Sequence, residues 1–178
     1  MFEAAPSGRA KCRGCGRRID KGVVRFGERL PNPYGEGEMT LWFHPLCGAY
    51  MRPEPLLDAI ATVAEPLDHA DRLEAEATSG LAHRRLPRAR GAQRAPTARA
   101  RCRSCREPIA NGAWRIPLTF YEEGMFHDSG FIHAGCALDY FGTSDILDRL
   151  RHFSPELSET DVEDLEAALR RTDADRPG

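Results

Sequence analysis

The chain has 178 residues, with 25 Lys and Arg against 27 Asp and Glu and a formal net charge of −2. A single small domain buries too little apolar surface to be secure without a further staple, so two metal-stapled units of about 80–90 residues fit this length well. The sequence has neither an apolar run of about 18 residues nor an apolar signal segment after Met1, so we expect an intracellular protein that does not enter a membrane.

The charge is unevenly distributed along the chain. Residues 9–52 carry nine Lys or Arg against four acids, and residues 84–106 carry nine Arg and no acid. Residues 143–178 reverse this balance, with ten acids against five Arg. The front and the centre of the chain are therefore the parts that would attract a polyanion.

The chain contains an internal repeat with an offset of 90 residues, because residues 10–25 align with residues 100–115 without a gap. Identical residues pair as Cys12 with Cys102, Cys15 with Cys105, Ile19 with Ile109, Gly22 with Gly112 and Arg25 with Arg115. After the second copy has lost one residue, the residues that meet are Trp42 and Phe131, His44 and His133, and Cys47 and Cys136. The repeat predicts two folding units of the same kind.

Each copy is predicted to run from a ligand turn through an antiparallel β-hairpin to a ligand pair and then into helices. This order describes a small α+β fold of two tandem modules, which we assign to residues 1–80 and residues 99–178. Residues 81–98 are rich in Arg, Ala, Pro and Gly and show little apolar periodicity. This composition predicts a flexible basic linker between the modules.

An amphipathic helix is predicted late in each module. In the first module its apolar positions are Leu67, Ala70, Leu73 and Ala77. In the second module Ser158 and Asp161 resemble a capping box, and the apolar positions that follow are Val162, Leu165 and Leu169.

Every cysteine of the chain belongs to one of two sets of four candidate metal ligands. The first set is Cys12, Cys15, His44 and Cys47, and the second is Cys102, Cys105, His133 and Cys136. A C-x-x-C turn brings two thiolates to one side of a tetrahedral ion, and a distant H-x-x-C pair closes the shell. Four protein ligands leave no open position for a catalytic water, so we predict two structural Zn²⁺ ions per chain.

Two other interpretations of the cysteines are a disulfide framework and a redox-active C-x-x-C. Disulfides do not account for the histidine of each set, and redox chemistry does not account for the paired H-x-x-C. The remaining histidines have no C-x-x-C partner, and we expect them to be ordinary surface or core side chains: His69, His83, His127 and His152.

Three motifs of the first copy are G-R-A-K-C-R-G-C at residues 8–15, I-D-K-G-V-V-R at residues 19–25 and W-F-H-P-L-C at residues 42–47. Together they resemble the zinc finger of the poly(ADP-ribose) polymerases, which a nick-sensing DNA ligase shares. The resemblance covers residues 9–50 and 99–141. It implies that both copies detect breaks in DNA, by gripping the phosphate backbone and stacking apolar side chains on the base pair exposed at the break, without reading sequence.

The resemblance implies two phosphate-contacting positions in each copy. The position three places before the first cysteine is Arg9 or Arg99, and the position ten places after the second is Arg25 or Arg115. Further cations beside the ligand turns extend this set to Lys11, Arg13, Arg18 and Arg101. The planar fork of Arg suits phosphate, although for any single cation the alternative is an ordinary solvated charge.

The resemblance also places stacking side chains in the loop before the ligand histidine, where this sequence departs from better-known members of the family. The candidates are Tyr34, Met39, Met125 and Phe126. Each of them either stacks on a base or fills the core, and the sequence leaves this choice open. Trp42 and Phe131 are predicted to pack beside the metal.

The chain stops at Gly178, which leaves no room for the catalytic domain of the polymerases or of the ligase, so we expect a sensor without enzymatic activity. The expected partners are nicked, gapped or ended duplex DNA and a repair enzyme, and neither a membrane nor a small-molecule substrate. The alternative is a protein-interaction adaptor that docks through the acidic stretch from Glu156 to Asp175. We expect the chain in the bacterial cytoplasm, at the nucleoid, or in the nucleus of a eukaryote.

Overall fold

The computed structural model describes residues 1–33 and 35–170, and the chain divides into two compact units, Met1–Pro87 and a second that begins at Arg88. Each unit has a three-stranded antiparallel sheet, a Cys3His cluster and helices, which confirms the predicted α+β class. Within the described residues, no helix combines the length and the apolar character needed to cross a membrane.

The first unit is a sheet followed by three helices. Its elements are β1 (Phe2–Ala4), β2 (Val24–Pro31), β3 (Glu38–Phe43), α1 (Pro45–Met51), α2 (Pro53–Thr62) and α3 (Ala70–Ala82). The sheet order is β1-β2-β3, and helix α3 packs against α1 and α2. The predicted apolar positions Leu73 and Ala77 are buried on α3, as periodicity requires of an amphipathic helix.

The core of the first unit lies between the sheet and the helices. Phe26 of β2 is fully buried beside Phe43 of β3, with ring centroids 5.9 Å apart, and Phe2 of β1 lies 5.6 Å away on its other side. Cross-strand neighbours of this kind pack on one face of a sheet, and the residue next to each of them in its strand faces the other side. Arg25 and Trp42 therefore lie on the face opposite the aromatic core.

The second unit repeats this arrangement. Its elements are β4 (Gln93–Arg94), β5 (Trp114–Glu122), β6 (Met125–His133), a 3-10 turn (Ala134–Cys136), α4 (Ala137–Phe141), α5 (Leu147–Phe153) and α6 (Glu159–Arg170). The sheet order is β4-β5-β6, and Ile116 and Ile132 are fully buried partners in its core. The two-residue turn from β5 to β6 holds Glu123 and Gly124 at φ 48° and 81°, the paired positive values of a tight hairpin turn.

The predicted capping box is present at the start of α6. The backbone N–H of Asp161 donates to Ser158 Oγ at 3.1 Å, and the N–H of Ser158 donates to Asp161 Oδ2 at 3.2 Å. Leu165 and Leu169 are then buried one helical turn apart. The acidic stretch considered as a docking surface continues to Asp175, and residues 171–178 lie outside the described part of the chain.

The structure differs from the prediction of a flexible linker over residues 81–98. The first of these residues end α3, a 3-10 turn follows at Leu86–Arg88, and Gln93–Arg94 form a strand of the second sheet. Ala89, Ala92 and Ala95 are buried, and Ser154 holds both backbone groups of Ala92. The prediction rested on the overall composition of the segment and overlooked the spacing of its alanines. These alanines recur at every third residue and are small enough to pack close to the sheet.

The two units fill the space between sheet and first helix in different ways. In the first unit the pair is Phe26 and Gly48, and in the second the equivalent pair is Ile116 and Ala137. A methyl group added at Gly48 would lie only 2.6 Å from Phe26 Cδ1 and 2.9 Å from Leu56 Cδ1. The larger sheet residue therefore requires the glycine, and the smaller one accepts an alanine.

Gly48→Ala is expected to destabilise the first unit by about 1–3 kcal/mol, because overpacking a dense core forces its side chains apart. Adding Phe26→Ile, which copies the pair of the second unit, should recover part of the loss. Denaturant unfolding of both variants measures this coupling. The control is Gly8→Ala, where the added methyl meets nothing closer than 3.8 Å. Equal effects of Gly48→Ala and Gly8→Ala would contradict the packing argument.

Candidate zinc centres and the adjoining sheet surface

Three separate elements of each unit bring the predicted ligands together. In the first unit Cys12 and Cys15 lie in the turn before β2, His44 follows β3 directly, and Cys47 lies in the first turn of α1. All four ligand atoms lie within 4.8 Å of one another, and the same holds for Cys102, Cys105, His133 and Cys136. The four residues of each set are therefore gathered as predicted.

The distances fit a tetrahedral zinc ion. Zn–S and Zn–N bonds of about 2.3 and 2.1 Å at a tetrahedral angle place sulfur and nitrogen about 3.6 Å apart. His44 Nδ1 lies 3.4 and 4.0 Å from the sulfurs of Cys15 and Cys47. His133 Nδ1 lies 3.4 and 3.8 Å from those of Cys105 and Cys136. None of the six cysteines forms a disulfide, and the donor set of both sites suits Zn²⁺.

Backbone groups make hydrogen bonds to the metal ligands. The N–H of His44 donates to Cys12 Sγ at 3.3 Å, and the N–H of His133 donates to Cys102 Sγ at 3.4 Å. His133 Nε2 lies 3.2 Å from the carbonyl oxygen of Pro108, which directs Nδ1 toward the sulfurs. Such outer contacts fix the tautomer and the ring orientation of a metal-bound histidine.

The electrostatics of each cluster call for a cation. Hydrogen bonds with Cys12 and Cys47 hold the pKa of Cys15 far below its usual value, whereas the pKa of Cys47 is raised by Cys12 and Cys15. The Cys12 and Cys15 thiols raise the pKa of His44 to about 10. Closely spaced thiols therefore share their protons instead of ionising together, and a divalent ion is needed to hold three thiolates in one place.

The sheet register places an arginine beside the ligand histidine of each unit. In the second unit Gln93, Arg115 and His133 are direct partners across all three strands. In the first unit Glu3 pairs with Arg25. The pairing of Phe26 with Phe43 then puts His44, the next residue, beside Arg25. Partners across strands share a face of the sheet, so each arginine side chain lies in a row with the ligand histidine.

Each of these arginines stacks on an aromatic ring. Arg25 lies 3.5 Å from the ring centroid of Trp42, and Arg115 lies 3.7 Å from that of Phe131. The two arginines are only 7% and 8% exposed. Trp42 and Phe131 are predicted from the sequence to pack beside the metal. In the structure, the rings of these two residues also stack against the arginines. Gly27 permits this, because an added methyl there would lie 2.5 Å from the Trp42 ring.

The first strand of each unit supplies a partner that sequence reasoning missed. Arg25 donates from Nε and Nη2 to Glu3 Oε1, at 3.1 and 2.5 Å. With the Gln93 amide turned to satisfy both groups, its oxygen accepts from the same nitrogens of Arg115, at 3.1 and 2.7 Å. The offset of 90 residues equates Glu3 with Gln93. Extending the repeat toward the N-terminus would have revealed the pair.

The other predicted cations lie at the surface around the ligand turns. The exposed residues are Arg9, Lys11, Arg13, Arg18, Arg99 and Arg101. Short bridges join Lys11 to Arg18 and Arg101 to Pro108 across the two turns. These cations are thus carried by the same loops that hold the first two cysteines of each site, and they remain accessible to an anion.

The β5–β6 hairpin carries exposed apolar residues near its turn. Phe120 is 36% and Met125 43% exposed, and the register places both on one face together with His127, which stacks on Phe120 at 5.0 Å. Phe126 is half-buried on the other face, 5.0 Å from Tyr121. In the first unit, Met39 is half-buried on β3. Tyr34 lies outside the described residues.

The family model "Poly(ADP-ribose) polymerase and DNA-Ligase Zn-finger region" matches residues 3–82. A poly [ADP-ribose] polymerase of Drosophila melanogaster is 25% identical over 136 residues, which cover 68% of this chain and 14% of that protein. A poly [ADP-ribose] polymerase of Sarcophaga peregrina is 33% identical over 45 residues, which cover 25% of this chain and 4% of that protein. The chain thus spans a small part of the length of these relatives. The second Cys3His site, at residues 102–136, is consistent with a second finger in tandem.

Zinc removal is expected to unfold both units, because binding of the ion is part of the folding free energy at such sites. Elemental analysis should give two zinc ions for the wild-type chain and one each for Cys15→Ala and Cys105→Ala. Each variant should lose only the structure of its own unit, since the two cores are separate. A circular dichroism spectrum that survives complete chelation would refute a structural role for zinc.

Proposed function

We propose that the chain is a zinc-dependent sensor of DNA strand breaks, because residues 3–82 match the zinc-finger family model of the poly(ADP-ribose) polymerases and DNA ligases. It binds duplex DNA at a nick, gap or end through phosphate contacts and base stacking, independently of sequence. It has no enzymatic activity of its own and presents the damaged site to a repair enzyme. The two fingers act on DNA as a pair.

The observation that carries this proposal is the row of cationic side chains built on each zinc site. Arg25 and Arg115 share a sheet face with the ligand histidines, and the exposed cations of the ligand turns adjoin the same sites. A phosphate backbone is a regular line of anions, and cations held on a rigid frame match it with little loss of side-chain entropy. Contacts of this kind bind DNA without reading bases.

Recognition of the break is assigned to the hairpin of the second unit. Phe120 and Met125 present an apolar surface at the end of a tight two-residue turn. A nick or an end exposes the flat face of a base pair, and side chains that cover such a face contribute about 1–3 kcal/mol per base. Intact duplex offers no such face. A nick also bends more readily than intact duplex, which adds a second basis for selection.

The alternative function is a protein adaptor that docks through its acidic C-terminal helix. Part of that acidic surface is already used inside the second unit, because Asp164 of α6 accepts a hydrogen bond from Trp114 Nε1 at 3.2 Å and pairs with Arg94. This contact makes α6 a structural helix of its own finger. These contacts inside the unit speak against the acidic helix as a docking surface for a protein partner, and so support the DNA-binding proposal over the adaptor.

The test is competition binding of the zinc-loaded chain to nicked, gapped, blunt-ended and covalently closed circular DNA of one sequence, over a range of salt concentrations. The proposal expects nicked DNA to displace the chain from closed circular DNA, and binding to weaken steeply as salt rises. Equal and weak binding to all four DNAs would overturn the sensor function and leave the adaptor.

Met125→Ala is expected to reduce the preference for nicked over closed DNA by about 5- to 150-fold, which corresponds to the loss of roughly 1–3 kcal/mol of stacking. Its affinity for closed DNA should change little. The matched control is Leu138→Ala, since Leu138 is a 50% exposed apolar residue that lies on helix α4 and not on the hairpin. If both variants lose selectivity equally, the stacking surface has been misassigned.

A further inference from the structure

The equivalent residues Glu3 and Gln93, on the first strand of each unit, differ by one charge. Glu3 in the first unit and Gln93 in the second each face the Nε and Nη2 edge of the arginine on the neighbouring strand. The two side chains have the same shape, and each offers an oxygen to the same two donors. Only the carboxylate carries a negative charge. The pair in the first unit is therefore neutral as a whole, and the pair in the second keeps one positive charge.

Burial makes this difference consequential. A surface cation exchanges partners freely with water. Arg25 and Arg115 are instead held between an aromatic ring and the side chain of Glu3 or Gln93, and both are largely buried. Screening is weaker for such groups than for exposed ones. A phosphate that approaches Arg25 also meets the carboxylate of Glu3, which is about one-third exposed. A phosphate that approaches Arg115 meets only the Gln93 amide.

We propose that the residue at this strand position, Glu3 in one finger and Gln93 in the other, sets how strongly the adjoining arginine attracts a DNA phosphate. Glu3 holds Arg25 in place and cancels its charge, so the first finger relies on the exposed cations of its ligand turn. Gln93 holds Arg115 in the same geometry and leaves its charge available. Both are positioning residues, and the inference rests on the proposed binding of DNA.

The net charge of each finger and the charge left on its buried arginine lead to different expectations about which finger binds phosphate more strongly. Residues 9–52 carry a surplus of five positive charges, whereas residues 99–142 carry five charges of each sign. By net charge alone the first finger would dominate phosphate binding. By the state of the buried arginine, the second finger has a localised phosphate site at the sheet, beside its ligand histidine His133.

The experiment measures the salt dependence of binding to nicked DNA for Glu3→Gln and Gln93→Glu. Each phosphate charge that is neutralised contributes about 0.9 to the slope of log K against log salt. Glu3→Gln should steepen the slope by up to about 0.9, and Gln93→Glu should flatten it by the same amount. Over a fourfold change in salt, this slope change corresponds to about a 3.5-fold change in affinity. The double exchange should return close to the wild-type slope.

Matched controls separate a local effect from net charge. Glu74→Gln removes one acid from the exposed face of α3, and Ala167→Glu adds one to the exposed face of α6. Neither control should shift the slope as its partner variant does. Zinc content and unfolding midpoint are measured for every variant. Both exchanges preserve side-chain shape, and Gln93→Glu creates the pair that the first unit already contains.

Each outcome decides one point. Opposite slope changes in Glu3→Gln and Gln93→Glu, with flat controls, support the inference. Break-selective binding by the wild type, with unchanged slopes in both variants, overturns the inference and leaves the proposed function standing. Controls that shift as far as the variants reduce the effect to net charge and also overturn it. A wild-type chain that does not bind broken DNA removes the proposed function and the inference together.

Discussion

The closure of four ligands around one tetrahedral point is the constraint on which each unit depends. It joins a turn near the start of the unit, the end of a hairpin and the beginning of a helix, which are up to 35 residues apart in sequence from Cys12 to Cys47. Units of this size bury a small core, so a tie between distant segments carries a large share of their stability. The backbone N–H groups of His44 and His133 also donate to Cys12 Sγ and Cys102 Sγ, so hydrogen bonds join the same segments that the metal ties together.

The metal also determines where the functional side chains lie. A ligand histidine is the last residue of the final strand in the second unit and directly follows that strand in the first, and strand pairing then fixes which residue of the middle strand lies beside it. Arg115 is that residue in the second unit, and the aromatic ring of Phe131, two residues before the histidine on the same face, supports it. Because a strand register moves in whole residues, a slip by one would turn the arginine into the core. The zinc site and the arginine are therefore one structural element.

Comparison of the two repeats separates what the fold requires from what it tolerates. The cysteines, the ligand histidine and the arginine recur unchanged, whereas Phe26 and Gly48 become Ile116 and Ala137 with their combined volume roughly kept. Arg17, whose pKa is raised by its hydrogen bond to Cys15, is replaced by Glu107. The identity of the core residues and the outer charge thus vary between the copies, while the metal ligands and the arginine beside them do not.

The sequence was sufficient for the metal sites and the order of elements, because ligand spacing and a repeat are strong local signals. It was insufficient where a short segment is ordered only by its neighbours. Strands β1 and β4 have three and two residues, too few for any periodicity, and both exist because β2 and β5 offer them an edge. Gln93 and Arg94 were therefore assigned to a linker, and the partner of Arg115 was lost with them.

The same gap explains why the arginines were described incompletely. A guanidinium beside a zinc turn was expected to be a free phosphate contact, and its burial on an aromatic ring depends on a register that spacing alone does not reveal. A buried arginine is nevertheless well suited to bind an anion, because its orientation is fixed before the ligand arrives. The positive charge that is left to attract the anion depends on the side chain that accepts the hydrogen bonds of the arginine. In this chain a carboxylate in one unit and an amide in the other, each at the edge of a sheet, make that difference on a frame held in place by the zinc site.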